Sequence, residues 1–187
     1  MPNLKTSSLV LNPRIYTGSV TPPALLEDQG RFRNNGTYTN ITQTRLPSGL
    51  WALTLNGTTS KVTFAVSTCK VQTFTGWINS TTASRSIVDF DSGTHSIELD
   101  ATPNVTATGW ASPTIYVNGV LSATGALNVW KMITVTTATP FTMSALVLGQ
   151  EVSWYGGVLA LPKLYNRVLS ATEIYKTFQA ERRFFNA

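Results

Sequence analysis

The sequence predicts an all-β protein, a sandwich or barrel of short strands finished by one C-terminal helix. Apolar and polar residues alternate over short runs, as in Trp51-Ala52-Leu53-Thr54-Leu55 and Lys61-Val62-Thr63-Phe64-Ala65-Val66. Turn-forming residues interrupt these runs about every eight to twelve residues, the spacing of sandwiches and barrels. Thr and Ser make up about a quarter of the 187 residues, while charged residues are only 12%. That bias suits exposed strand faces, because Thr packs on a pleated surface and stays soluble.

Taken in order, Leu9, Val10 and Leu11 form a first strand stopped by Asn12-Pro13. Thr21-Pro22-Pro23 and the polar stretch 27–37 are rich in turn formers and predict a long ordered loop. Trp51, Leu53 and Leu55 share one strand face, and Asn56-Gly57 predicts a hairpin into a strand that points Val62, Phe64 and Val66 inward. Residues 71–79 form a strand with Phe74 and Ile78 on one face and Val71 and Trp77 on the other. Strands at 86–90 and 95–99 follow, then Thr114-Ile115-Tyr116-Val117, which turns back at Asn118-Gly119 in a second two-residue hairpin. Residues 129–136, 144–148 and 157–165 complete the series. Pro162 cannot donate to a ladder, so the last strand is expected at a sheet edge or bulged. The helix, about 171–183, opens with Ser170 three residues before Glu173, a reciprocal capping box, and Leu169 with Ile174 is placed as a hydrophobic staple. Ala171, Ile174, Tyr175 and Phe178 make its apolar stripe.

The length fits one domain, 1–187, and the 42% hydrophobic content is that of a globular chain whose apolar runs are too short to span a bilayer. No membrane partner is expected. The net charge of +5 comes from 14 Lys and Arg against 9 Asp and Glu, scattered until Arg182-Arg183. A nucleic-acid binder clusters its bases on one stripe, so no nucleic-acid partner is expected; a solvated surface with a basic tail is the plainer reading, attraction to an acidic surface the other. Cys69 is the single cysteine, which excludes an intrachain disulfide and a Cys-based zinc site and predicts a small buried apolar residue. Met1-Pro2-Asn3-Leu4-Lys5 lacks the apolar segment of a secretory signal, so synthesis in the cytosol is expected.

Several segments, in this order, resemble the concanavalin A-like lectin/glucanase superfamily and its laminin-G-like jelly-roll branch. They are Glu27-Asp28-Gln29-Gly30 through Asn34-Asn35-Gly36-Thr37, the unit 52–62, Thr75-Gly76-Trp77-Ile78, Ile115-Tyr116-Val117-Asn118-Gly119-Val120, and Tyr155-Gly156-Gly157 through Leu164–Ile174. The resemblance covers nearly the whole chain and implies a jelly-roll β-sandwich of two antiparallel sheets. Two departures stand out. Leu159-Ala160-Leu161-Pro162 replaces an acidic strand residue of the family, and the family's members are commonly secreted with calcium or disulfides. The ending 173–184 is similar to laminin-G-like domains of phage virion proteins. It implies a non-catalytic virion surface protein, a capsid decoration or tail component, made in the host cytoplasm and contacting other virion proteins, itself or surface glycans. The alternatives are a free-standing, extracellular carbohydrate-binding module and, more weakly, a β-glucanase.

A retaining glucanase needs two carboxyl groups about 5–5.5 Å apart. Glu98 and Asp100 share a strand face, but Thr102 stands where a further carboxylate would complete the i, i+2, i+4 set. Asp89 and Asp91 form another same-face pair that nothing extends, so no catalytic residues are expected. His95 is the sole histidine, and no Gly-x-Ser-x-Gly elbow supplies a nucleophile. In the 27–35 loop Asp28 is the leading candidate for calcium, against the simpler role of closing turns through its side chain; no other cofactor is expected. Stacking on a sugar requires an exposed aromatic, and Trp110 and Trp154, in loops, suit that role better than Trp51 or Trp77 in alternating strands. Arg182, Arg183, Phe184 and Phe185 are the candidate docking residues for an acidic, partly apolar neighbour. Asn-x-Ser/Thr occurs at Asn35, Asn40, Asn56, Asn79 and Asn104, close to what this Ser and Thr content produces by chance.

Overall fold

The computed structural model describes residues 8–187 except 16–19, 24, 31 and 67. The first five residues and Arg31, read above, lie outside the described residues. The elements in chain order are β1 (Leu9–Leu11), β2 (Pro13–Arg14), β3 (Leu25–Asp28), β4 (Gly36–Thr39), β5 (Thr42–Arg45), β6 (Trp51–Asn56), β7 (Lys61–Phe64) and β8 (Cys69–Ser80). Then come β9 (Arg85–Asp89), β10 (Ser96–Leu99), β11 (Val105–Thr108), β12 (Thr114–Val117), β13 (Val120–Leu121), β14 (Lys131–Met143), β15 (Leu146–Leu148), β16 (Gly156–Tyr165), helix α1 (Ala171–Glu181) and a 3-10 turn, Arg182–Phe184. Every strand pair is antiparallel. One sheet runs β13-β12-β14-β8-β16-β6-β5 with β1 against β16, and the other runs β11-β10-β9-β15-β7-β4-β3-β2. The all-β sandwich with a single short C-terminal helix is therefore the observed architecture.

The inner core lies between the sheets, with Leu53, Phe74, Ile133 and Leu159 from the first meeting Val62, Phe64, Ile97 and Leu148 from the second. Cys69 is buried here, and that burial pushes its thiol up to about 11. The stretch read as a loop over 27–37 carries two strand ends, β3 and β4, paired to each other. Asn56-Gly57 is not a hairpin. β6 belongs to the first sheet and β7 to the second, so the turn carries the chain across the sandwich. The Asn56 carboxamide oxygen accepts from the backbone N–H of Thr58, Thr59 and Ser60, which explains why the residue type signalled a turn but not its kind. Asn118-Gly119 is the expected hairpin, with φ of 53° and 79° and Val117 opposite Val120.

Pro162 lies in a central strand, not at an edge. β16 sits between β8 and β6, and its register with β8 shifts between Ala160 and Lys163. β6 pairing ends at Leu159 and β1 pairing resumes at Leu164, so the missing N–H falls where the ladder is interrupted on both sides. Leu161 takes φ 48° to make the bulge. Phase also changes in β8: Val71 joins Phe74 and Ile78 in the inner core instead of sharing Trp77's face. Opposite this point, residues 137–140 of β14 loop out of register between Thr136 and Phe141.

The outer face of the first sheet is covered by α1. Trp77, fully buried, is enclosed by Phe185 at 4.1 Å and Phe178 at 5.8 Å, both near parallel. Its indole N–H donates to Glu181 Oε2 at 2.8 Å, and Lys163 Nζ meets Glu181 Oε1 at 2.5 Å. The capping box at Ser170 and Glu173 forms as expected, and Leu169 and Ile174 are buried together. Of the predicted stripe, Ile174 and Phe178 are buried, while Ala171 and Tyr175 face solvent because only two turns meet the flat sheet. Arg167 grips Glu173 through both of its outer nitrogens, at 2.7 and 3.0 Å. That bidentate contact, with the cap N–H of Ser170, holds the Glu173 carboxyl down at about 2.

The tail turns its aromatic residues inward. Phe185 is 5% exposed and also packs on Trp130, and Phe184 is half-buried, its carbonyl accepting from Ser48 Oγ. Arg182 and Arg183 alone of the four candidate docking residues are exposed. We therefore expect Phe185→Ala to cost about 3 kcal/mol in urea denaturation, and Arg182→Ala or Arg183→Ala to stay within about 0.5 kcal/mol. Glu173 has a folded value below its unfolded one, so its stabilisation is present above about pH 4.5 and is lost as pH falls toward 2. Urea midpoints taken between pH 5 and 2 should fall less steeply in Glu173→Gln than in the native chain.

Candidate functional site

The outward face of the second sheet forms an open groove of about 490 Å³ between β9, β10 and β11 on one side and the turn 150–154 on the other. Alternation along β10 buries Ile97 and Leu99 and turns Ser96 and Glu98 outward. A bulge aligns β9 with them. Ile97 pairs with Val88 but Glu98 pairs with Ser86, so Ile87 is the extra residue. Ile87 and Val88 therefore both enter the core, and Ser86 is delivered to the groove beside Glu98. Thr108, opposite Ser96 on β11, extends the floor.

The facing wall carries Glu151, Val152 and Ser153 on a tight turn closed by a Gln150–Trp154 bridge. Ser86 Oγ donates to Glu151 Oε2 at 3.1 Å, and the Ser86 N–H donates to Ser153 Oγ at 2.9 Å, which ties wall to floor. Ser96 Oγ donates to Glu98 Oε1 at 2.6 Å. At the end of the groove Asp100 Oδ1 accepts from the N–H groups of Asn104 and Thr102 and from the Thr102 hydroxyl. The Asn104 N–H first, then the Thr102 hydroxyl, hold its carboxyl below the usual range. Thr102, which breaks the carboxylate series in the sequence, thus serves Asp100 as a donor.

A third wall is the loop 91–95. Asp89 Oδ1 accepts from the N–H of Asp91 and Gly93, and Asp91 accepts from the His95 N–H and meets His95 Nδ1 at 2.5 Å. The imidazole stacks on Phe141 at 4.0 Å and 3°. The sole histidine and the Asp89–Asp91 pair are fully used in shaping this loop. Gly93, with φ 97°, comes so close to Glu151 that a Cβ there would lie 3.2 Å from Oε1.

The aromatic candidates fare differently. Trp110 is 5% exposed and packs edge-on against Phe90 and Phe141, so the loop residue expected as a platform is part of the inner core. Trp154 is half-buried at the far side of the 150–154 turn, and Lys61 Nζ stands 5.8 Å over its ring, occupying one stacking face. The two tryptophans are therefore not brought together into a binding surface. Asp28 is 1% exposed, and its carboxylate accepts from the backbone N–H of Asn12, Gly30 and Asn34 at 2.7–2.9 Å. It ties the first strands together beside an open hollow lined by Glu27 and Arg33. Among the described residues there is no group of three His, Cys, Asp or Glu side chains that could hold a metal ion.

Glu98 and Asp100 were legible as a same-face pair; Ser86, Glu151 and Ser153 were not. Ser86 reaches the groove only through a bulge, and Glu151 and Ser153 come from a turn more than fifty residues away.

This architecture is a two-sheet antiparallel β-sandwich with a short C-terminal helix. No protein-family model matches the sequence, and no curated protein sequence matches it either. Solved structures do. A Trypanosoma rangeli sialidase in complex with 2,3-difluorosialic acid superposes with a TM-score of 0.65 at 11% identity, over 97% of this chain and 34% of that one. The botulinum neurotoxin serotype D binding domain gives 0.60 at 11% identity, over 94% and 52%. A structure described as showing that cell entry of botulinum neurotoxin type C depends on interaction with two ganglioside molecules gives 0.57 at 11% identity, over 94% and 51%. This chain spans about half of the toxin chains and a third of the sialidase, and at such identities the likeness is one of fold.

Asp28 carries a clean test of its role. Removing its carboxylate leaves three backbone donors without an acceptor, so Asp28→Ala should lose about 3 kcal/mol in urea denaturation. The native chain should melt at the same temperature in millimolar calcium and in EDTA.

Proposed function

We propose that this protein is a non-catalytic carbohydrate-binding module of lectin-like fold, with its site in the second-sheet groove. The observation that carries the reading is convergence. Serine hydroxyls and carboxylates from β9, β10 and the turn 150–154 are fixed in place by one another along an open channel. Its volume lies in the range of small-molecule sites, about 300–1,000 Å³. Preorganised acceptors are what a polyhydroxylated ligand requires, because little ordering cost is left to binding. The sialidase bound to a sialic acid derivative and the neurotoxin that interacts with gangliosides support the same reading at the level of fold.

The groove suits binding better than hydrolysis. A general acid in glycoside cleavage needs its pKa raised toward neutrality, and the hydrogen bonds from Asn104 and Thr102 shift Asp100 the opposite way, which removes Asp100 from that role. The free-standing module thus takes precedence over virion display, whose docking surface loses Phe185 to the interior.

Glycan-array screening followed by titration calorimetry tests the proposal. We expect one or more oligosaccharides to bind without being cleaved, and Thr108→Trp, which fills the groove from the exposed face of β11, to weaken them at least tenfold, about 1.4 kcal/mol. Absence of glycan binding at millimolar ligand, or hydrolysis lost in Glu98→Gln, would overturn it.

A further inference from the structure

Resting on that reading, we infer that the groove selects sugars presenting hydroxyl or ammonium groups and excludes those carrying carboxylate or sulfate. The chain as a whole is cationic, at +5. The groove reverses that sign: among the described residues its lining holds Glu98, Asp100 and Glu151 and no Lys, Arg or His. Arg85 and His95 each adjoin a lining residue in sequence: Arg85 Nη1 donates to the carbonyl of Ser84 at one end of the channel, and His95 is held by Asp91. Asp89, the last residue of β9, and Asp91, paired with His95 in the loop that forms the third wall, bring to five of nine the acidic residues between the start of β9 and the turn 150–154.

Hydrogen-bond polarity points the same way. Ser96 and Ser86 spend their hydroxyl protons on Glu98 and Glu151. Both serines are only 1% exposed, so what these pairs present to the channel is the carboxylate oxygens of Glu98 and Glu151, which accept and do not donate. A hydroxyl or an ammonium group is a donor and completes such a surface. A carboxylate or sulfate brings only acceptors, together with a like charge, and pays desolvation for no return. The side chain of Val152, 88% exposed at the lip, offers an apolar contact to the C–H face of a sugar ring.

The matched probes are chitosan oligosaccharides with free amines, the same oligomers fully N-acetylated, and sialylated oligosaccharides of similar length, titrated at pH 6 in low and 0.5 M salt. At pH 6 the amines are largely protonated. We expect the free amines to bind best, the N-acetylated oligomers about tenfold more weakly, and the sialylated ones at least a hundredfold more weakly than the amines. High salt should narrow the gap between the first two. Glu98→Gln and, separately, Glu151→Gln, which keep an acceptor oxygen and remove the charge, should each shrink the ratio of amine to N-acetyl affinity at least about threefold, read as a ratio so that any loss common to both ligands cancels. Sialylated ligands bound as tightly as the amines, or a preference that survives both variants, would overturn the selectivity and leave carbohydrate binding standing. Failure of every glycan to bind would remove both.

Discussion

The Trp77 indole, closed between Phe178 and Phe185, is the contact on which the first half of the sandwich depends. A sheet with both faces apolar needs a second cover. Here Ala52, Met132 and Ala160 keep the outer face shallow around Trp77, so a single amphipathic helix can lie down on it. Burying an indole costs its N–H a partner unless one is supplied. Glu181, at the helix end, supplies it and is itself neutralised by Lys163 of the bulged strand β16. Helix, strand and tryptophan are thus joined by one carboxylate, and the bulge that accommodates Pro162 lies two residues from Ala160, which pairs with Trp77.

Among the described residues no helix lies over the second sheet. Around the groove its outward face carries Ser, Thr and acidic side chains that bond to each other and to nearby backbone. Three irregularities shape that face: the extra residue Ile87 in β9, the loop 91–95 wound around Asp89 and His95, and the turn 150–154. Each is a departure from plain pleating that turns a flat sheet into a channel. The sandwich therefore divides its labour by face, one side sealed by apolar packing and the other left as a polar groove.

Much of the fold was legible in the chain because strand alternation and turn chemistry are local. The Ser170–Glu173 box, the Asn118-Gly119 hairpin and the inward Val62 and Phe64 follow from spacing alone. Asn56-Gly57 shows where local reasoning stops. The same Asx turn serves a hairpin or a crossover, and only the strands' partners distinguish them. Trp110 misleads for a related reason, since a loop residue flanked by Gly109 and Ala111 looks exposed until Phe90 and Phe141 close over it.

The sequence by itself determined most strand positions outside 25–45 and 105–108, the capped helix, the turn at Asn118-Gly119 and the absence of a cysteine-based site, because each rests on periodicity, on bonds within a few residues or on a residue count. Tertiary structure decided which sheet each strand joins, the central place of the bulged β16, the burial of Trp110 and Phe185, and the meeting of Ser86 and Glu98 with Glu151 and Ser153. These depend on contacts between residues far apart in the chain, for which no local periodicity exists. The groove belongs wholly to this second kind.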